Sequence, residues 1–135
     1  MSVGAFELTG SHMAPIRSYR ELIVWQKSMD LTVRTYELTR PFPSEERYGL
    51  TSQMRRAAAS VAANIAEGQA RRTTGEFLQM LGIARGSLAE LETFLTLSER
   101  LGLIKSEARD SVLEACAEVN KMLTGLMRSV SQKRG

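Results

Sequence analysis

Two long stretches of the chain repeat apolar residues at alternating spacings of four and three, and this pattern constrains the fold more than any other feature. In each stretch six apolar residues follow one another at spacings of 4, 3, 4, 3 and 4. Such spacing places them along one face of an α-helix, as in a coiled-coil seam. The two seams therefore predict two long helices that pack lengthwise against neighbours. Their residues are Phe77, Leu81, Ala84, Leu88, Leu91 and Leu95 in the first stretch, and Val112, Cys116, Val119, Leu123, Leu126 and Val130 in the second.

An Ala-rich run over residues 50–68 predicts a further helix before these seams, because alanine has the highest helix propensity. We expect this helix to continue to about Arg72. On a helical wheel its residues separate into an apolar face, a polar stripe and a flank of alanines. The apolar face comprises Leu50, Met54, Ala58, Val61 and Ile65, and the polar stripe comprises Gln53, Arg56, Ser60, Asn64, Glu67 and Arg71.

The first helix is predicted between a capping box and a proline-containing segment. Ser18-x-x-Glu21 has the capping-box pattern that marks a helix start. Pro41 ends the helix, because a proline disfavours helical geometry at the residue before it. An apolar stripe at spacings of 3, 4, 4 and 3 is expected to face the core. It consists of Leu22, Trp25, Met29, Val33 and Tyr36.

Capping signals delimit the last two helices. Thr73-x-x-Glu76 has the capping-box pattern, Gly102 has the position of a C-cap, and Ser106 precedes the final helical stretch. No segment alternates polar and apolar residues with a period of two between turn signals. Four helices joined by short loops predict an all-α fold, an antiparallel up-and-down four-helix bundle.

Residues 1–13 are interpreted as an expression-tag leader that is not native, because they end in Gly10-Ser11-His12-Met13, the usual remnant of a cleaved tag. Residues 14–135 are expected to form a single four-helix-bundle domain with one core. No apolar run approaches the roughly 20 residues of a membrane span, so no membrane partner is expected. The single cysteine, Cys116, excludes a disulfide within the chain and fits a cytoplasmic location.

The composition argues against an enzyme and against a bound metal or cofactor. The one histidine, His12, lies in the predicted leader, so no Ser–His or Cys–His pair and no zinc site of usual composition is available. Di-iron sites in bundles use inward-facing Glu-x-x-His pairs, whereas Glu90 and Glu114 lie off the apolar seams. The sequence therefore predicts no catalytic residue, no metal site and no cofactor.

The basic residues are the remaining candidates for a binding function, and the formal net charge is +3. Two arginine pairs, Arg55–Arg56 and Arg71–Arg72, stand at the two ends of the Ala-rich helix and are candidate nucleic-acid-binding residues. Arginines that contact phosphates bind nucleic acids largely without regard to sequence, and this binding weakens with salt. The alternative is a solvated surface with weak ion pairs, such as one between Arg71 and Glu67 four residues earlier.

Three segments of the chain resemble a known family. They lie between residues 19 and 102 and are similar to bacterial four-helix-bundle proteins, some of which are encoded in intervening sequences of the 23S ribosomal RNA gene. Two of the segments are Leu22–Lys27 and Phe77–Thr93. The third reads Phe42-Pro43-x-x-Glu46-x-Tyr48-Gly49-Leu50-x-x-Gln53-x-Arg55-Arg56-Ala57-Ala58-x-Ser60-Val61-x-x-Asn64-Ile65-Ala66-Glu67-Gly68.

The resemblance implies a four-helix protomer that assembles into a ring-shaped homopentamer, with an activity that is not settled across the family. A more loosely similar branch comprises the accessory variability proteins of diversity-generating retroelements. These are basic pentameric barrels that bind nucleic acid and a reverse transcriptase. The resemblance therefore implies a homo-oligomer, with RNA or DNA and a reverse transcriptase or other protein as candidate partners.

Two hypotheses follow for the function. In the first, the chain is a non-enzymatic oligomer that binds nucleic acid through basic surface patches. In the second, it is a protein-interaction or scaffold module without nucleic-acid contact, and the polar stripe serves subunit contact. The candidate oligomer-interface residues are Gln53, Ser60, Ala63, Asn64 and Glu67.

Overall fold

The computed structural model describes residues 6–9, 12–15 and 18–134. Within residues 18–134, none of the helices combines the length and the hydropathy that crossing a bilayer requires. The four α-helices are α1 (Ile23–Thr39), α2 (Leu50–Gln69), α3 (Thr74–Arg100) and α4 (Ser106–Arg134), and two 3₁₀ turns span Tyr19–Glu21 and Ser44–Glu46.

The helices pack in sequence order, and α4 closes the arrangement against α1. Cross-helix contacts give their directions. Arg55 at the start of α2 bonds Thr39 at the end of α1, and Gly68 near the end of α2 meets Phe77 near the start of α3. Residues 18–134 thus form an antiparallel up-and-down four-helix bundle, which confirms the predicted all-α fold.

The core consists mainly of the apolar faces predicted for α2, α3 and α4. All six residues of each predicted seam are buried, and so are the five of the α2 apolar face. Burial of one leucine or phenylalanine side chain contributes roughly 1.5–3 kcal/mol. These three faces therefore dominate the stability of the bundle.

The apolar stripe predicted for α1 is wrong over most of its length. Met29, Val33 and Tyr36 are 41%, 55% and 44% exposed, respectively. The face that α1 turns to the core is rotated away from them and contains several hydroxyl side chains. These hydroxyls donate hydrogen bonds of 2.7–2.8 Å to backbone carbonyls four residues earlier, so their burial leaves no donor unpaired. The buried residues of α1 are Val24, Ser28, Leu31, Thr35 and Thr39.

Both ends of α3 have the predicted caps. The Thr73 hydroxyl accepts a hydrogen bond from the backbone N–H of Glu76 at 3.1 Å. At the other end, Gly102 has a positive φ of 78° and the backbone N–H of Leu103 donates to the carbonyl of Ser98 at 2.9 Å. This is a Schellman motif, which satisfies carbonyls that the helix leaves without partners.

The bounds of α1 and α2 differ from the prediction by a few residues. Ser18 caps the 3₁₀ turn that precedes α1, and the α-helix itself begins at Ile23. Helix α2 ends at Gln69 rather than near Arg72. Helix α4 begins at Ser106, the predicted cap residue.

A pair of short strands lies where the sequence analysis predicted none. Strands β1 (Phe6–Thr9) and β2 (His12–Pro15) pair antiparallel. Four residues are too few for a clear period-of-two pattern, and an isolated two-stranded pair is marginally stable in water. Strand β2 crosses Met13, the predicted end of the leader. The rest of that predicted leader, residues 1–5 and 10–11, lies outside the described residues.

Candidate nucleic-acid-binding site

The end of α1, the segment between α1 and α2, and the first turns of α2 form a groove that carries four arginines. It consists of two adjoining cavities of about 360 and 240 Å³, which share Arg47, Thr51 and Arg55. We call it the arginine groove. The larger cavity is lined by Tyr36, Arg47, Thr51, Ser52, Arg55, Arg56 and Ala59, and the smaller by Thr39, Arg40, Phe42, Pro43, Ser44, Arg47, Thr51 and Arg55.

Arg55 is held in place by α1. Its Nε donates to the Thr39 hydroxyl at 2.9 Å, and its Nη2 donates to the Tyr36 carbonyl at 3.4 Å. The guanidinium also lies 4.5 Å from the centroid of the Tyr36 ring, a cation–π contact. Arg55 is therefore a half-buried link between α1 and α2 that supplies a fixed positive charge to the floor of the groove.

The other three arginines of the groove are exposed and free of ion pairs. Arg40, Arg47 and Arg56 form no salt bridge with any residue in the range 18–134. One nearby carboxylate, that of Glu46, accepts the backbone N–H of Leu50 at 3.1 Å. This bond satisfies one of the donors at the start of α2, where negative charge is favourable. The groove thus keeps most of its positive charge available for an anion.

The second predicted arginine pair lies at the other end of α2 and differs in its partners. Fourteen helical residues carry α2 from Arg55 to its end at Gln69, which corresponds to about 21 Å, and Arg71 lies two residues beyond that end. Arg71 pairs with Glu67 at 2.8 Å and with Glu76 at 3.8 Å, so much of its charge is neutralised. Arg72 is exposed. The protomer therefore does not bring the two predicted pairs together into one site.

The candidate interface residues separate into two groups. The Ser60 hydroxyl bonds that of Ser87 at 2.9 Å, and the Asn64 amide donates to the Ser60 carbonyl at 2.8 Å and to its hydroxyl at 2.9 Å. Ser60 therefore joins α2 to α3 within the protomer, and Asn64 holds Ser60 from within α2. The remaining candidates, Gln53, Ala63 and Glu67, are exposed.

The described residues offer little for nucleophilic or metal chemistry. Burial, and secondarily the Glu92 carboxylate, raise the pKa of the Cys116 thiol to about 12. Burial also raises the pKa of Glu92 itself. No group of three or more potential metal ligands occurs together among the residues that the structure describes.

Sequence reasoning missed two members of the groove, Arg40 and Arg47. In the sequence each stands apart from the arginine pairs, one at the end of α1 and the other in the turn before α2. The sequence feature that could have identified them is their position. Both flank the segment with Pro41 and Pro43, which reverses the chain between two antiparallel helices. Such a reversal brings residues on either side of it to the same end of the bundle.

Comparison with known proteins finds a matching family and similar solved structures. The family model of the 23S rRNA-intervening sequence protein matches residues 20–125, which include the arginine groove and most of the bundle. Among solved structures, a protein of unknown function from the S23 ribosomal protein family of Bacteroides thetaiotaomicron VPI-5482 is 27% identical. The match covers 78% of this chain and 98% of that chain, with a TM-score of 0.70. No curated protein matches the chain.

Proposed function

The chain belongs to the family of 23S rRNA-intervening sequence proteins, and we propose that it is a non-enzymatic homo-oligomer that binds RNA or DNA through the arginine groove. The similar protein from the S23 ribosomal protein family is itself described as having unknown function. Family membership therefore supplies no activity, and the proposal rests on the chemistry of the groove.

The observation that carries the proposal is the concentration, in one concave site, of arginines that have no ion-pair partner within residues 18–134. Arg40, Arg47 and Arg56 surround the fixed Arg55, and the hydroxyls of Thr51 and Ser52 line the same cavities. Guanidinium groups and hydroxyls are the usual partners of phosphate oxygens in nucleic-acid complexes. Such a site favours a phosphodiester backbone and reads little of its sequence.

Exposed apolar and small residues support the oligomeric part of the proposal. Met29 and Val33 lie on the outer face of α1, and a methyl group added to Gly82 or Gly86 on α3 would meet no neighbouring atom within 4 Å. Apolar side chains and glycines allow another helix to approach closely. A homopentamer, which the family resemblance implies, would repeat the arginine groove around an axis and multiply its field.

Binding of a fluorescein-labelled structured RNA, measured by anisotropy, tests the nucleic-acid part. We expect binding at low salt that weakens by an order of magnitude or more between about 50 and 200 mM salt. The double variant Arg47→Glu with Arg56→Glu should abolish it. These two residues are preferable to Arg55 because Arg55 also holds α1 to α2.

The matched control makes the same charge change away from the groove. Lys121 and Arg128 are exposed residues outside it, and the double variant Lys121→Glu with Arg128→Glu should retain most of the affinity. Equal losses in the two double variants would show that net charge, not the groove, drives binding. Absence of binding by the wild-type protein at low salt would refute the nucleic-acid function.

The exposed apolar face of α1 also supports a second candidate function, that of a protein-interaction or scaffold module. In that case Arg56 and Glu67, which are exposed in the protomer, would be covered by a neighbouring subunit. Light scattering after size exclusion measures the oligomeric mass, and a monomer would refute the oligomer. An oligomer that binds no RNA at low salt would favour the scaffold function.

A further inference from the structure

Tyr48 directly follows Arg47 in the turn before α2 and exposes almost its entire ring. The residue is 87% exposed, more than the other exposed large hydrophobic residues of the described chain. In residues 18–134 the other two tyrosines have ring partners: Tyr19 packs edge-on against Trp25, and Tyr36 carries the Arg55 guanidinium. The face of the Tyr48 ring has no such partner and is open to a planar ligand.

Two other aromatic residues line the arginine groove, whereas Tyr48 is not among its lining residues but directly follows Arg47, which is. Tyr36 lines the larger cavity and Phe42 the smaller. Sites that bind single-stranded nucleic acid combine a positive groove for the backbone with aromatic rings on which bases stack. Phosphate contacts alone would require only the arginines. The aromatic side chains therefore indicate a ligand whose base faces are accessible.

An exposed aromatic ring favours a single strand over a duplex as the ligand. In a duplex the bases are already stacked on one another, so a lone tyrosine ring cannot stack on them without unstacking the helix. The bases of a single strand can stack on an aromatic side chain without that cost.

We propose that the arginine groove binds single-stranded nucleic acid, with backbone phosphates on Arg47 and Arg56 and one base stacked on Tyr48. This inference rests on the proposed function and narrows its ligand to unpaired strands. The ring of Tyr48, rather than its hydroxyl, supplies the contact. Replacement by phenylalanine should therefore preserve binding, and replacement by alanine should not.

The experiment compares a labelled oligouridine of about 12 nucleotides, a length within the range of known single-strand sites, with a duplex of the same length. Anisotropy is measured with the full chain at low salt. The wild-type protein should bind the single strand at least tenfold more tightly than the duplex. Loss of one stacked base corresponds to a decrease in affinity of about tenfold, so Tyr48→Ala should weaken single-strand binding by that factor and leave duplex binding unchanged.

Two controls make the result specific. Tyr48→Phe should bind the single strand like the wild-type protein. Ile83→Ala removes an exposed apolar side chain in the middle of α3 and should also have no effect. Size exclusion with light scattering is run on every variant, because Tyr48 could instead contact a second copy of the chain.

Each contrary outcome overturns a different statement. Equal or tighter binding of the duplex, or unchanged single-strand affinity in Tyr48→Ala, would refute the stacking proposal and leave the nucleic-acid function standing. A change in oligomeric mass in Tyr48→Ala would assign Tyr48 to a subunit contact and also refute it. Absence of binding to both probes by the wild-type protein would refute the nucleic-acid function and the present inference with it.

Discussion

Gly68 allows α2 to come close to the side chains of α3. A methyl group at this position would lie 2.9 Å from carbon atoms of both Phe77 and Met80, and Phe77 is almost fully buried. Gly68→Ala should therefore destabilise the protein by about 1–3 kcal/mol, the usual cost of overpacking a core. Gly125→Ala is the matched control. It has open space around it and should stabilise α4 by about 0.5–1 kcal/mol.

The two glycine variants are compared by urea unfolding. The midpoint should fall for Gly68→Ala and rise slightly for Gly125→Ala, with unchanged slopes. A stabilised Gly68→Ala would mean that α2 and α3 separate easily at this point, contrary to the close approach.

Cys116 is the only thiol of the chain and is fully buried, which predicts low reactivity. Burial raises the pKa of its thiol from 9.0 to about 12, so almost no thiolate is present in the native state at pH 8. A disulfide reagent such as DTNB should react with the native protein only as fast as it unfolds, and immediately in urea. Rapid reaction of one thiol per native chain would contradict this burial.

The same pKa shift has a consequence for stability at alkaline pH. Because the folded-state pKa lies above the unfolded value, the thiol contribution is fully present below pH 9.0 and is lost as the pH rises toward about 12. The free energy of unfolding should therefore fall over this interval. The variant Cys116→Ala isolates the effect, because it lacks the thiol while all other groups titrate as in the wild-type protein. Between pH 8 and pH 10.5 its free energy of unfolding should fall less than that of the wild-type protein.

Helix α1 shows why a correct helix can have an incorrectly predicted face. Its apolar residues Met29, Val33 and Tyr36 fit helical spacing but are exposed, whereas Thr35 and Thr39 are among the residues that face the core. Hydroxyl groups bonded to the backbone of their own helix can be buried at low cost. Hydropathy assigns such residues to the surface, and only their packing reveals the opposite.

The hydroxyls of α1 differ in importance. Thr35 bonds only the Leu31 carbonyl of its own helix, so in Thr35→Val a buried methyl group worth about 0.8 kcal/mol offsets the lost bond of about 1 kcal/mol. Thr39 also accepts the bond from Arg55 Nε. Thr39→Val should therefore be more destabilising than Thr35→Val by about 1–2 kcal/mol, because it leaves a charged donor without its acceptor. Equal midpoints of thermal unfolding would show that the Thr39–Arg55 link contributes nothing.

The sequence predicts the packing correctly for those helices that bury one continuous apolar face. The seams of α3 and α4 and the apolar face of α2 were correct residue by residue, and the caps Thr73 and Gly102 marked both ends of α3. The candidate site was less accessible to prediction. Adjacency in sequence suggested Arg55 and Arg56, whereas Arg40 and Arg47 join them only through the chain reversal between α1 and α2.

At the scale of the whole molecule, the distribution of charge matters more than its sum. The net charge of +3 is modest, and Arg71 and Arg109 are balanced by carboxylates. The four arginines of the groove form no ion pair within residues 18–134, so one concave site concentrates unneutralised positive charge. Assembly of several protomers around an axis would place several such sites on one particle and give a field that a single protomer lacks.

This arrangement predicts how the salt dependence of binding changes with ligand length. Each phosphate contact to a single strand contributes about −0.7 to the slope of log K against log salt, so the three exposed groove arginines should give about −2. A short oligonucleotide of about 8 nucleotides reaches only one groove, whereas one of about 40 can reach several in an oligomer. The slope should therefore become markedly steeper with length for an oligomer.

The variant Arg56→Glu separates the groove from other basic surface. It removes one phosphate contact from every groove. The slope of log K against log salt should therefore become less steep by about 0.7 for the short ligand, and by about 0.7 for each groove that the long ligand reaches. Arg128→Glu, outside the groove, should leave the short-ligand slope unchanged. Slopes that do not change with length would mean that each ligand engages one protomer at a time, and the repeated groove would then have no role in binding.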